Sequence, residues 1–364
     1  MITLEQLLRQ AVEMRASDLH LEVGSRPALR VQSDIRFLDL DPLTSEMVDE
    51  MILPLLSEEQ YDTFIHCGDV DFSHELPGIS RFRVSALNHY RGRGAVFRVI
   101  PNEIPTLAGL GLPPVLEKVA NLDKGLVIVA GPTGCGKSTT LAAMLGQINE
   151  RRSAHVLTIE DPIEYIHPFR RSYIEQRELG QHAVSFADAL RASLRESPDV
   201  VMVGEMRDLD TMREALRAAE TGYLVFSTLH TNSAAQTLNR IVDVFPPDEQ
   251  HQIRSLLSGS LKAVVCQQLL PRKSGGRVAA MEIMLVNMGI AGLIREGKTS
   301  QIGSFLLMGR SEGMQTLDLH LVELLQSKQI SLEVAYAFST NPEVLARHGY
   351  ERRGLARAPH FPDA

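Results

Sequence analysis

The strongest chemical signal in the chain is the run Gly131-Pro132-Thr133-Gly134-Cys135-Gly136-Lys137-Ser138-Thr139. Its spacing is that of a phosphate loop, G-x-x-x-x-G-K-[ST]. The glycines let consecutive backbone N–H groups turn inward on an anion, the lysine reaches β- and γ-phosphate oxygens, and the serine hydroxyl can ligate Mg²⁺. Residues 125–130 before it are apolar throughout, as in a buried strand, and Leu141, Met144, Leu145 and Ile148 after it follow helical spacing. Motif and setting agree on a site for a nucleoside triphosphate.

Three more apolar runs end in polar groups. Residues 155–159 lead into Glu160-Asp161-Pro162-Ile163-Glu164, residues 200–203 into Gly204-Glu205, and residues 224–228 toward His230. In an open α/β sheet the ligand lies beyond the carboxyl ends of the strands, so these groups converge on the phosphate loop. Carboxylates near a γ-phosphate suit holding Mg²⁺ and orienting a water, whereas a kinase needs a second substrate pocket. The expected chemistry is hydrolysis.

These groups need a scaffold, and the patterning supplies an α/β one. Strands so uniformly apolar, with helical periodicities such as Leu209, Met212, Leu216 and Ala219 between them, predict a mostly parallel sheet covered by helices. Residues 1–100 read differently, as a small α+β unit. Thr3 and Gln6 form a possible capping box before a helix with Leu4, Leu7, Leu8, Ala11 and Val12 on one face. Leu19, Leu21 and Val23 then alternate with Asp18, His20 and Glu22, and residues 28–31 should pair with that strand. Alternation in residues 81–85 and 95–99 turns Arg81, Arg83 and Arg98 outward from a sheet. Residues 101–114, rich in proline, read as an inter-domain linker; 115–345 form the nucleotide domain and 346–364 a disordered tail. Past residue 250 the pattern is helical, with a hairpin over 269–278 turning at Gly275-Gly276.

Composition bounds the rest. The 364 residues exceed what one core usually serves, and 44% hydrophobic with 23% charged residues is that of an ordinary folded protein. A net charge of −8 opposes binding to a nucleic-acid backbone or an anionic membrane. The three cysteines, Cys67, Cys135 and Cys266, form no CxxC pair, and the histidines no HExxH, so disulfides and metal sites beyond nucleotide-bound Mg²⁺ are not indicated. The N-terminus has no signal-peptide pattern and the apolar stretch 278–294 is broken by Glu282, Asn287 and two glycines, so a cytoplasmic location is expected.

Four runs in order, 131–139, Thr158 to Glu164, 198–208 and 219–231, resemble the Walker A, Asp-box, Walker B and His-box motifs of secretion ATPases. Residues 15–21 (RASDLHL), 81–84 (RFRV) and 289–298 (GIAGLIREGK) narrow the resemblance to the type IV pilus retraction ATPases, over about residues 1–345. It implies a PAS-like N-terminal domain followed by a RecA-like P-loop domain, assembled as a homohexamer. It also implies ATP and Mg²⁺ bound by Lys137 and Ser138, with Glu205 supporting the metal, Glu164 polarising the attacking water and His230 sensing the γ-phosphate. Arg83 and Arg98 match arginines that approach the nucleotide as the N-terminal domain closes. The implied partner is the inner-membrane pilus platform protein, reached peripherally at the pilus base, with an accessory retraction ATPase as a possible second partner.

Assembly ATPases of this type carry a zinc-binding tetracysteine and a long N-terminal region; neither is found here, which favours retraction. The accessory retraction ATPase shares this layout and stays an alternative, while a nucleic-acid translocase and a low-turnover scaffold are the rivals from other classes. Tyr223 replaces the first histidine of the His-box, Ser197 an acid and Gly292 an asparagine. The expectations are a mild loss from Tyr223, a weakened surface contact at Ser197 and a more flexible helix at Gly292. Cys135 reads as a small residue that fits the loop, with a thiol made reactive by the helix N-terminus as the alternative.

Overall fold

The computed structural model describes residues 2–31, 34–100 and 103–350. Its backbone divides into two units: one reaches Glu103 and includes Glu164–Ile166, and the other holds Ile104–Ile163 with the described residues from His167 onward.

In the first unit Thr3 and Gln6 form the capping box, each side chain bonded to the other's backbone N–H, and the helix Leu4–Glu13 follows. Six strands, β1 (Asp18–Glu22), β2 (Ala28–Val31), β3 (Asp34–Phe37), β4 (Asp69–Leu76), β5 (Ser80–His89) and β6 (Gly92–Ile100), form a sheet ordered β3-β2-β1-β6-β5-β4, antiparallel throughout. Leu7 and Leu8 of the helix pack with Leu19, Leu21, Phe82, Val84 and Phe97 of the strands. The edge strands β3 and β4, which the sequence reading did not include, also alternate, with Ile35 and Phe37 in β3 and Val70, Phe72 and Leu76 in β4; β3 is nevertheless exposed at every position. Asp18 keeps the outward face, opposite Arg30 and Arg98 in the register, yet is buried there: the Arg98 Nε donates to it at 2.9 Å and Arg30 lies at 3.6 Å.

The second unit is built on β7 (Gly125–Ala130), β8 (His155–Glu160), β9 (Tyr173–Glu178), β10 (Val200–Val203), β11 (Leu224–Leu229), β12 (Leu261–Pro271) and β13 (Arg277–Leu285), ordered β13-β12-β7-β11-β10-β8-β9. All neighbours run parallel except β12 and β13. Every residue of β7, β10 and β11 is buried, and the two faces of the sheet feed two separate cores. This is the expected α/β layering, with helices on both faces.

Several expectations need correction. The sheet has strands beyond the apolar runs: β9 reads YIEQRE, an edge strand with too few apolar residues to stand out, and β12 and β13 occupy ground read as helical. The hairpin turning at Gly275 and Gly276, both at positive φ, is therefore much longer than 269–278. The stretch 278–294 divides between β13 and the helix Met288–Glu296. Residues read as linker belong to the second unit from Ile104, with Leu107 and Leu112 buried in its core. Residues 346–350, read as tail, are ordered: Tyr350 packs on the C-terminal helical cluster and its carbonyl accepts from Tyr336 at 2.6 Å. The remaining tail and residues 101 and 102 lie outside the described residues. Among the described residues no helix is long and apolar enough to cross a membrane.

Candidate functional site

The phosphate loop leaves β7 at Ala130 and enters the helix Lys137–Arg151 through Gly136. Gly131, Gly134 and Gly136 all have positive φ, at 147°, 76° and 88°, a region L side chains rarely occupy. Glycine at 131 is also required sterically, since a Cβ there would collide with the Gln267 carbonyl and the Cys135 sulfur. The helix opens without a side-chain cap, which leaves its N-terminal dipole directed at the loop. Lys137 is buried and its Nζ donates to the carbonyls of Gly131 at 2.8 Å and Pro132 at 3.0 Å, so the cation is held inside the loop's curve. Pro132, Thr133 and Gly134 at the crest are exposed, and Ser138 and Thr139 are half-buried.

The strand ends line up beside this loop. Gly131 N–H donates to Leu229 O (3.1 Å), Met206 N–H to Thr228 O (3.2 Å) and Gly204 N–H to Ile159 O (2.8 Å). The loop after β7, His230 after β11, Glu205 after β10 and Glu160 at the end of β8 thus occupy successive places along one edge, about 4.8 Å per strand. Glu205 is the hub: its Oε1 lies 3.2 Å from His230 Nε2 and its Oε2 2.9 Å from Arg207 Nε. Glu160 is buried and accepts from the Thr158 hydroxyl at 2.6 Å and from Gln176 at 3.1 Å, so its neighbours in the sheet engage it.

Not every candidate lies in this body. Glu164 is exposed and belongs to the first unit. Arg83 and Arg98 are in that unit too, on β5 and β6, where Arg83 Nη2 lies 3.4 Å from Asp71 Oδ2 and Arg98 Nε 2.9 Å from Asp18 Oδ1. Tyr223 precedes β11, at the opposite end of that strand from His230, and its hydroxyl donates to Leu194 O at 3.3 Å. It belongs to the packing at the far end of the sheet. Cys135 sides with the reading of a small residue that fits the loop: burial pushes its thiol up, which outweighs the lowering by Lys137.

Residues outside the motifs complete the site. Gln267 on β12 donates to Cys135 O at 2.5 Å and accepts from the Thr140 hydroxyl at 2.7 Å. Its only signal in the sequence was a pair of glutamines inside an apolar run. Glu282 on β13 accepts from Ala234 N–H at 2.8 Å, at the start of the helix that follows the His230 segment, and burial pushes its carboxyl up.

The backbone curl, the buried lysine and the adjacent hydroxyl fit a polyphosphate, and Ser138 with Glu205 offers the hard oxygen donors that Mg²⁺ prefers. The comparisons with known proteins agree with this chemistry. A family model described as type II/IV secretion system protein matches residues 1–302. The chain is 48% identical over 338 residues to the type IV pilus retraction ATPase PilT of Pseudomonas aeruginosa, covering 93% of this chain and 98% of that one. It is 42% identical over 340 residues to the type IV pilus ATPase PilU of the same organism, covering 93% and 89%. A crystal structure of the pilus retraction motor PilT with bound ADP matches with a TM-score of 0.89 at 44% identity, covering 95% of this chain and all of that one (100%). The second unit thus has the RecA-like ATPase fold. From the model match and these identities, the chain belongs to the type II/IV secretion system protein family.

Proposed function

We propose that this chain is the ATP-hydrolysing motor of type IV pilus retraction, and that it drives twitching motility. The observation that carries the reading is the shared sheet edge on which Lys137, in its phosphate loop, stands beside His230 and Glu205. The identity to the retraction ATPase, 48% against 42% for the accessory type, favours the principal motor.

In this reading the loop N–H groups and the helix N-terminus receive the phosphates of ATP, and Lys137 exchanges its two carbonyl partners for β- and γ-phosphate oxygens. The Ser138 hydroxyl and Glu205 would hold Mg²⁺, which neutralises phosphate charge and orients the γ-phosphoryl group. Glu164 polarises the attacking water. His230, coupled to Glu205, reads the presence of the γ-phosphate. Arg83 and Arg98 bring positive charge to the developing transition state as the first unit, a PAS-like domain, closes on the nucleotide. Six copies in a ring pass this closure from one subunit to the next and turn the pilus platform protein in the inner membrane, to which the motor is bound from the cytoplasm.

The test has two arms. Purified protein should hydrolyse ATP only with Mg²⁺, and Lys137→Ala should abolish turnover. Deleting the gene should leave cells piliated but immobile; bald cells would instead assign the chain to pilus assembly.

A further inference from the structure

The phosphate loop is held from outside as well as by its own hydrogen bonds. Gln267, buried near the end of β12, meets the loop and the first turn of its helix at four residues. Its side-chain amide donates to the Cys135 carbonyl at 2.5 Å, in the middle of the loop, and accepts from the Thr140 hydroxyl at 2.7 Å, in the first turn of the helix. Its backbone carbonyl faces Gly131 so closely that no Cβ fits, and its Nε2 lies 2.9 Å from where a Cβ on Gly136 would stand. Both glycines that bracket the motif are therefore packed against one residue of the neighbouring strand.

The chemistry of the amide matters as much as its size. A carbonyl needs a donor and a hydroxyl hydrogen needs an acceptor, and a primary amide offers both at one place. A methionine would leave two buried polar groups unpaired, and an ionised glutamate would set a carboxylate against the Cys135 carbonyl. Gln267 is braced in turn. It stands opposite Met281 on β13, whose N–H donates to His320 Nδ1 at 2.9 Å and whose carbonyl accepts from Gln315 at 3.0 Å. The loop is thereby tied through two strands to residues 315–320, from which the C-terminal helices begin.

We propose that Gln267 is a positioning residue for ATP hydrolysis: by fixing the Cys135 carbonyl and the Thr140 hydroxyl it holds the phosphate loop in the form that aligns Lys137 and Ser138 with the transferring phosphoryl group. This rests on the reading of the chain as an ATPase. Since Lys137 interacts most strongly with the transition state, a loosened loop lowers kcat more than it weakens binding.

The experiment compares ATP turnover and thermal midpoints of the wild-type chain, Gln267→Met, Gln267→Glu and Thr140→Val. Gln267→Met should lower kcat by ten- to a hundredfold with KM changed less than threefold, and Thr140→Val, which keeps the volume, should lower kcat in the same direction by less. Gln267→Glu should regain activity relative to Gln267→Met as pH falls, because a protonated carboxyl again offers one donor and one acceptor, a response that packing alone would not produce. Wild-type kcat in both Gln267→Met and Thr140→Val, or no pH-dependent recovery in Gln267→Glu, overturns the proposal while leaving the ATPase reading intact. A wild-type chain without Mg²⁺-dependent turnover overturns the ATPase reading and this proposal with it.

Discussion

Arg83 and Arg98 are partners in the register of β5 and β6, so two guanidinium side chains leave the same face of the first unit's sheet side by side. Like charges directly opposite each other weaken a sheet by a fraction of a kcal/mol, about 0.2–1. Asp71 beside Arg83 and Asp18 beside Arg98 offset that cost, but the two pairs differ. Asp71 is exposed and Asp18 is buried.

That difference separates structure from catalysis. Arg83→Gln relieves the repulsion and loses only an exposed pair worth about 0–1 kcal/mol, so its thermal midpoint should move by no more than about 2 °C. Its ATP turnover should nevertheless fall by about 10²-fold or more, the scale of a charge that meets the transferring phosphoryl group. Arg98→Gln should lose turnover and also about 1–3 kcal/mol of stability, because a buried carboxylate loses its nearest cation and keeps only the Ser17 hydroxyl at 2.8 Å and the more distant Arg30. Arg83→Gln with wild-type turnover removes that arginine from the machinery.

The contact between Glu205 and His230 predicts two separable defects. Glu205→Gln keeps the shape but weakens a Mg²⁺ ligand, so turnover should fall by about 10²-fold and recover in part as Mg²⁺ is raised. His230→Ala should also lower turnover, without rescue by Mg²⁺, because the histidine acts on the phosphate side of the pair. Titrating Mg²⁺ in steady-state assays distinguishes them, and identical Mg²⁺ profiles would contradict the division of roles.

The catalytic edge was legible in the sequence because each element there speaks locally. Gly131, Gly134 and Gly136 answer to backbone sterics, and the runs before Glu205 and His230 to burial on both faces of a sheet. Gln267 was not legible, since its role exists only where β12 passes the loop, more than a hundred residues away in the chain, and no local pattern encodes that approach. The same limit applies to β9, whose polar residues are paid for by edge position and by Gln176 contacting Glu160. Asp18 shows another side of this: period-2 alternation placed it on the right face, opposite Arg30 and Arg98, and those cross-strand arginines bury it there. Alternation specifies a face and cannot anticipate a partner on the next strand.

Cys135 offers a check on the site's electrostatics. It is buried and its thiol is pushed up, so it should react slowly with iodoacetamide or mild peroxide, whereas Cys67 is exposed. Mass spectrometry after brief treatment should find Cys67 modified and Cys135 intact, with ATP turnover unchanged. Rapid loss of turnover that Cys135→Ser prevents would show that the thiol is reactive after all.

Gly292 lies inside the helix Met288–Glu296, and a Cβ there would meet nothing within 4 Å. Its replacement is therefore governed by backbone entropy. Gly292→Ala should stabilise the chain by about 0.5–1 kcal/mol, roughly 2 °C in thermal midpoint, and leave ATP turnover unchanged. Gly292→Asn should likewise leave turnover unchanged, so that any change in twitching would report coupling rather than hydrolysis. A fall in the midpoint of Gly292→Ala would mean that the position is crowded by a neighbour.

Acid should destabilise the fold through its buried histidines. Burial lowers the His167 pKa from 6.5 to about 4 and also lowers those of His320, His74 and His20, so all four favour the neutral ring. Between about pH 6.5 and pH 4 the unfolded chain takes up a proton at residue 167 that the folded chain refuses. The stabilising contribution is complete above about pH 6.5 and is lost as pH falls, roughly 3 kcal/mol for His167 by pH 4. The His167 Nδ1 has no hydrogen-bond partner, so an apolar side chain can replace the ring without leaving a new polar group unpaired. His167→Leu should consequently flatten the decline in denaturant midpoint between pH 6.5 and pH 4, the gap to wild type narrowing or reversing toward the acid end. Midpoints that fall in parallel across that range would place the acid sensitivity elsewhere in the fold.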